Sequence, residues 1–104
     1  MIVMSVTLRS VQIYEPTHEQ AFLALERKFA QLEQSRADLP KGRRLRMVSG
    51  GHPSHTLIWE CDFADVPTAW AHFNRYCVDA EHVRLADLQR PYLRQSSLEI
   101  LESF

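Results

Sequence analysis

The run His55-Thr56-Leu57-Ile58-Trp59-Glu60-Cys61-Asp62-Phe63 decides the architecture of this 104-residue chain. Side chains alternate across a strand, so His55, Leu57, Trp59, Cys61 and Phe63 share one face. Thr56, Ile58, Glu60 and Asp62 share the other, and both faces carry apolar groups. Upstream, Gly50-Gly51-His52-Pro53-Ser54 is turn chemistry. It separates this strand from a shorter one over 43–49, which predicts a hairpin with a loop of about five residues.

Working outward, residues 3–14 are rich in Val, Ile, Thr and Tyr and read as a strand. Met4, Val6 and Leu8 alternate with polar residues, and the apolar parity then shifts to Val11 and Ile13. A bulge near Ser10, or burial on both faces, accounts for that shift. Thr17 with Gln20 fits a capping box. Phe22, Leu25, Phe29 and Leu32 then form one helical stripe, with Glu19, Glu26, Lys28 and Gln31 off it, and the helix ends near Ala37. Asp65 caps a second helix with Pro67 in its first turn, and Ala69, Trp70, Phe73, Cys77 and Ala80 give its core stripe. A break falls at Asp79-Ala80-Glu81, helix resumes toward Pro91, and residues 95–104 return to strand.

Composition bounds the class. The chain, 1–104, is the size of one domain, and 45% hydrophobic with 24% charged residues is ordinary for a soluble globular protein. A net charge of −1 and a pI near 6.5 give no long-range attraction to nucleic acid or anionic membrane. Cys61 and Cys77 lack CxxC spacing and read as buried, reduced thiols. The apolar start has neither a basic segment nor a small-residue cleavage site, and no run approaches a membrane span, so a cytoplasmic location is expected.

Strand-helix-strand-strand-helix-strand is the split βαβ, ferredoxin-like order, an α+β fold with a four-stranded antiparallel sheet. Right-handed crossovers place both helices on one sheet face. An open face carrying Leu57, Trp59 and Phe63 would form an apolar patch calling for a partner or a ligand.

Leu57-Ile58-Trp59-Glu60, Trp70 on the following helix and Glu81-His82-Val83-Arg84 resemble the dimeric α/β-barrel superfamily. Within it, the antibiotic-biosynthesis-monooxygenase-like proteins are similar in their Trp-Glu strand end, helix and downstream histidine. Val6-Thr7-Leu8-Arg9-Ser10-Val11 and the stretch 79–101 look like the NIPSNAP-type branch. The resemblance implies a homodimer with a pocket, and its members include cofactor-independent oxygenases of aromatic polyketides and haem-degrading enzymes. The haem-degrading branch pairs a Trp and a His of the second helical region with an Asn on the first strand. Trp70 and His82 are the nearest matches, yet the only Asn is Asn74, within the helix. On an unbroken helix the two would also point about 120° apart. No cofactor is expected.

Trp59 and Trp70 read as core aromatics or as substrate-stacking groups. His72 and Tyr76, at i and i+4, are placed to share a hydrogen bond at a pocket rim. His55 shares parity with Trp59 and, with His82, is a candidate general base. His52 and His55 are too few for a metal site, so none is expected. Lys41, Arg43, Arg44 and Arg46 form the one basic concentration, suited to an anionic ligand or to a solvated edge strand. The expectation is a homodimeric small-molecule protein, an oxygenase-like enzyme acting on a planar apolar substrate. Its alternative is a non-catalytic binding or regulatory module. An RNA-recognition-like module shares the element order, but the third strand lacks the Lys/Arg-Gly-Phe/Tyr pattern.

Overall fold

The computed structural model describes residues 5–104; the expected strand residues Val3 and Met4 lie outside the described residues. Strand β1 (Val6–Tyr14) leads through a 3₁₀ turn into helix α1 (Glu19–Ser35). Strands β2 (Arg43–Arg46) and β3 (Thr56–Phe63) follow, then helices α2 (Val66–Val78) and α3 (Ala80–Gln89) and strand β4 (Leu93–Glu102). The four strands pair antiparallel in the order β2-β3-β1-β4, the ferredoxin-like arrangement. Among the described residues no helix is long and apolar enough to cross a membrane.

Register sets which side chains meet the helices. Leu8 pairs with Cys61, Ser10 with Trp59 and Gln12 with Leu57, and this set turns toward the helices. Leu57, Trp59 and Phe63 are therefore covered by helices and do not form an open patch. The open face instead carries Thr7, Arg9, Val11 and Ile13 opposite Asp62, Glu60, Ile58 and Thr56. One end of that face is ionic, with Glu60 held by Arg9 at 2.6 Å and Arg43 at 2.8 Å. Pairing runs unbroken through Ser10, and the β1–β4 register shifts between Ile13 and Tyr14. Burial on both faces, with Leu8 on one and Val11 on the other, explains the parity shift without a bulge at Ser10.

Two apolar clusters form the core. Leu8, Leu39, Trp59, Cys61 and Tyr76 pack at one end, and Tyr14, Phe22 and Leu57 at the other. Phe22 stacks on Tyr14 with centroids 4.5 Å apart. Burial and a hydrogen bond to Glu19 push the Tyr14 hydroxyl up to about 12, so it stays protonated across the physiological range.

Several local expectations are corrected. Thr17 falls inside the 3₁₀ turn and α1 starts without a side-chain cap, so the Thr17–Gln20 box does not form. The inner face of α1 is Phe22, Glu26, Phe29 and Glu33, which brings two carboxylates into the interior. Strand β2 stops at Arg46, where Met47 still bonds to Thr56, and the connection is longer than the glycine cluster alone predicted. Helix α2 presents Ala69, Phe73 and Tyr76, a phase that leaves Trp70 and Cys77 exposed. Cys61 is buried as expected, and burial raises its thiol pKa.

Asp79 both ends α2 and caps α3 by accepting from the His82 amide at 3.0 Å. Its carboxyl is held below the usual range by that amide and by Arg36. A depressed carboxylate stabilises the fold above its unfolded pKa, and the effect is lost as pH falls. Asp79→Ala should lower the unfolding free energy by about 1 kcal/mol at neutral pH and shrink the acid-side loss, read by chemical denaturation across pH.

Candidate functional site

Between the helix-facing side of the sheet and the helices lies a pocket of about 210 Å³. An engineered cavity of roughly 150 Å³ accepts benzene, so the space here suits a somewhat larger ring system. Strand β1 contributes Ser10 and Gln12, β3 contributes Trp59, α2 contributes Phe73 and Tyr76, and α3 contributes His82 and Gln89. Each element supplies its inward side chains because the strand alternation and the helix phases described above aim them there.

A buried ion cluster forms the polar wall. Arg44 points inward from β2 and donates to Glu26 at 2.8 Å and to Glu33 at 2.5 Å and 3.2 Å. Glu33 also accepts from the Trp59 indole at 3.4 Å and the Gly42 amide at 3.1 Å. Glu26 accepts from Gln89 at 3.0 Å, which ties α3 into the same cluster. Every oxygen of both carboxylates therefore has a donor. Burial alone would lower the Arg44 pKa, but its bonds to Glu33 and Glu26 outweigh it and raise the value, so the guanidinium stays charged.

His82 is half-buried, its ring 4.9 Å from Phe29 and 4.7 Å from Tyr76 between centroids. Desolvation lowers its pKa against the opposing pull of Asp79 and Glu33, which favours the neutral imidazole. Among the described residues its ring nitrogens make no hydrogen bond to protein. Tyr76 stands edge-on to Trp59 at 5.8 Å and donates its hydroxyl to the Pro40 carbonyl. Burial, with the charge of Glu33, raises its pKa, so it stays protonated.

The structure gathers three of the six residues singled out by sequence. Trp59, Tyr76 and His82 line the pocket. Trp70 is 41% exposed on the outer side of α2 and does not line it. His72 stacks on Phe63 at 5.2 Å, its Nδ1 buried without a partner, and makes no hydrogen bond to Tyr76. His55 lies in a separate groove with Glu19, Arg46 and Met47. The basic cluster is dispersed: Arg43 pairs with Glu60 and Asp62, Arg44 with Glu26 and Glu33, and Arg46 with Glu19. Glu26 and Glu33 are the residues the sequence reading missed; their seven-residue spacing, matching Phe22 and Phe29, was the available signal. No group of three or more metal-ligating side chains occurs among the described residues.

Solved structures with this arrangement are numerous. A NIPSNAP family protein from Agrobacterium tumefaciens superimposes with a TM-score of 0.79 at 12% identity, over 96% of this chain and 86% of that one. An antibiotic biosynthesis monooxygenase gives 0.70 at 13% identity, over 95% and 98%. The likeness is one of fold. A dimeric protein of unknown function and ferredoxin-like fold from Bacteroides fragilis also gives 0.70, at 9% identity, over 95% and 96%. No family model matches the chain, and no curated protein matches it by sequence.

A side chain at Gly42 would place its Cβ 2.0 Å from the Trp59 indole nitrogen. Gly42→Ala should therefore displace Trp59 and loosen the Glu33 cluster, lowering stability by about 1–3 kcal/mol and shifting tryptophan emission to longer wavelength. For His82, NMR titration should give a midpoint below about 6.5. Because the unfolded chain then binds the extra proton first, the His82 contribution to stability is full above the unfolded histidine's pKa and is lost as pH falls from there through the folded midpoint.

Proposed function

We propose that this chain is a homodimeric small-molecule-binding protein whose pocket takes a planar, largely apolar ligand, with chemistry of the cofactor-independent monooxygenase type. The observation that carries this reading is the pocket itself, where Phe29, Phe73, Trp59 and Tyr76 line the same space as the His82 imidazole, which has no hydrogen-bond partner among the described residues. Aromatic walls favour a flat apolar ligand, and His82 is positioned to accept a proton from it. In a cofactor-free oxygenation that proton transfer generates the electron-rich carbanion that reacts with dioxygen. The same-fold antibiotic biosynthesis monooxygenase supports the reaction type.

The open sheet face supports a homodimer. Ile13, Ile58 and the 45%-exposed Leu45 lie beside the Arg9–Glu60–Arg43 ion pairs, an apolar patch with a polar border. The Bacteroides fragilis protein of this fold is described as dimeric. One observation favours a second reading, a binding module without turnover: both pocket carboxylates are fully engaged, leaving His82 as the sole free titratable group among the described lining residues.

Native mass spectrometry should give twice 12.1 kDa, and a monomer would overturn the homodimer. With Trp70→Phe, Trp59 is the remaining one of two tryptophans, and its fluorescence should be quenched saturably by 2-naphthol. Absence of quenching would overturn the pocket. Oxygen uptake that His82→Ala reduces by about 10²-fold would support the enzyme, whereas binding with no uptake would support the binding module.

A further inference from the structure

We infer that the pocket selects against anions and takes an uncharged or cationic ligand whose polar group meets the side chain of Gln12. This deepens the small-molecule reading above and rests on it. Two features of the wall carry it: its charge balance and an uncommitted amide.

The charged groups lining the pocket are Glu26, Glu33, Arg44 and Arg90. Arg90 sits at the exposed end, where it is engaged by Asp87 at 2.7 Å. Inside, two carboxylates flank a single guanidinium, leaving a net charge of one negative unit. An entering carboxylate would meet that excess in a desolvated setting and find no free cation, because Arg44 is already held by both glutamates. The arginine-rich strand would invite an anion if its charges were free. Its pairing reverses that preference.

Gln12 supplies the polar contact. It projects from β1 on the helix-facing side and lines the pocket, yet its carboxamide makes no hydrogen bond among the described residues. Its Oε1 is shut off from solvent with no partner. An unpaired buried amide oxygen is costly, and a ligand hydroxyl or amine that meets it as the otherwise unbonded amide turns toward the pocket would recover that loss. The neutral imidazole of His82 is a second acceptor in the same wall. A ligand O–H or N–H therefore suits the Gln12 oxygen and the unprotonated imidazole nitrogen, while the imidazole N–H can meet a ligand acceptor.

The test uses Trp59 quenching in the full-length Trp70→Phe protein with four probes on one ring: naphthalene, 2-naphthol, 2-naphthylmethylammonium and 2-naphthoate. The expected result is that 2-naphthol and the ammonium bind at least as tightly as naphthalene, while 2-naphthoate binds about tenfold or more weakly than 2-naphthol. Gln12→Leu should weaken 2-naphthol about tenfold and leave naphthalene unchanged. Glu26→Gln, which neutralises the cluster, should narrow the gap between 2-naphthol and 2-naphthoate. Equal binding of all four probes, or tighter binding of 2-naphthoate, would overturn the inference while leaving the pocket intact. Failure of every probe, naphthalene included, would remove the pocket reading and the inference together.

Discussion

The buried Arg44 cluster is the constraint on which the rest of the interior depends. One guanidinium from the edge strand β2 reaches two carboxylates of α1, and through them the Trp59 indole on β3 and Gln89 on α3. Four elements are thereby joined around one charge. Removing Arg44 would strand both carboxylates in a low-dielectric setting, at a cost of several kcal/mol. The remaining core is ordinary apolar packing, and it tolerates changes of volume more readily than this cluster tolerates changes of charge.

The same cluster explains why the site has an apolar character despite its ions. Because the carboxylates and the guanidinium satisfy one another, the space between sheet and helices is bounded mainly by aromatic rings and by His82. Desolvation then keeps that histidine neutral. Polarity is stored in the wall, while Gln12 and the imidazole remain free to engage a guest.

Most of the scaffold was legible in the sequence. Strand alternation in 55–63, the Asp65 cap with Pro67 and the break at Asp79 each carry local signals that the fold obeys. Three kinds of feature were not legible. The phase of α2 depends on which neighbours compete for its face, so Tyr76 is buried where Cys77 was expected. Glu26 and Glu33 share the seven-residue spacing of Phe22 and Phe29, but what makes that face the inner one is a cation arriving from a different strand, which the helix by itself does not show. His55 keeps the parity of Trp59 yet lies beyond the pocket's end, since parity fixes a face and not a position along it.

Strand β2 has only four residues, Arg43–Arg46, three of them arginine, and by composition alone it could slide along β3 with little change in surface chemistry. A slip of one position turns every β2 side chain to the other face, and in one direction it would put Leu45 in the place of Arg44 opposite Trp59 and beside the two glutamates. The buried pair thus acts as an alignment key for the sheet edge. Strand registration and the electrostatic character of the cavity are thereby coupled, since only the observed register holds Arg44 between both carboxylates.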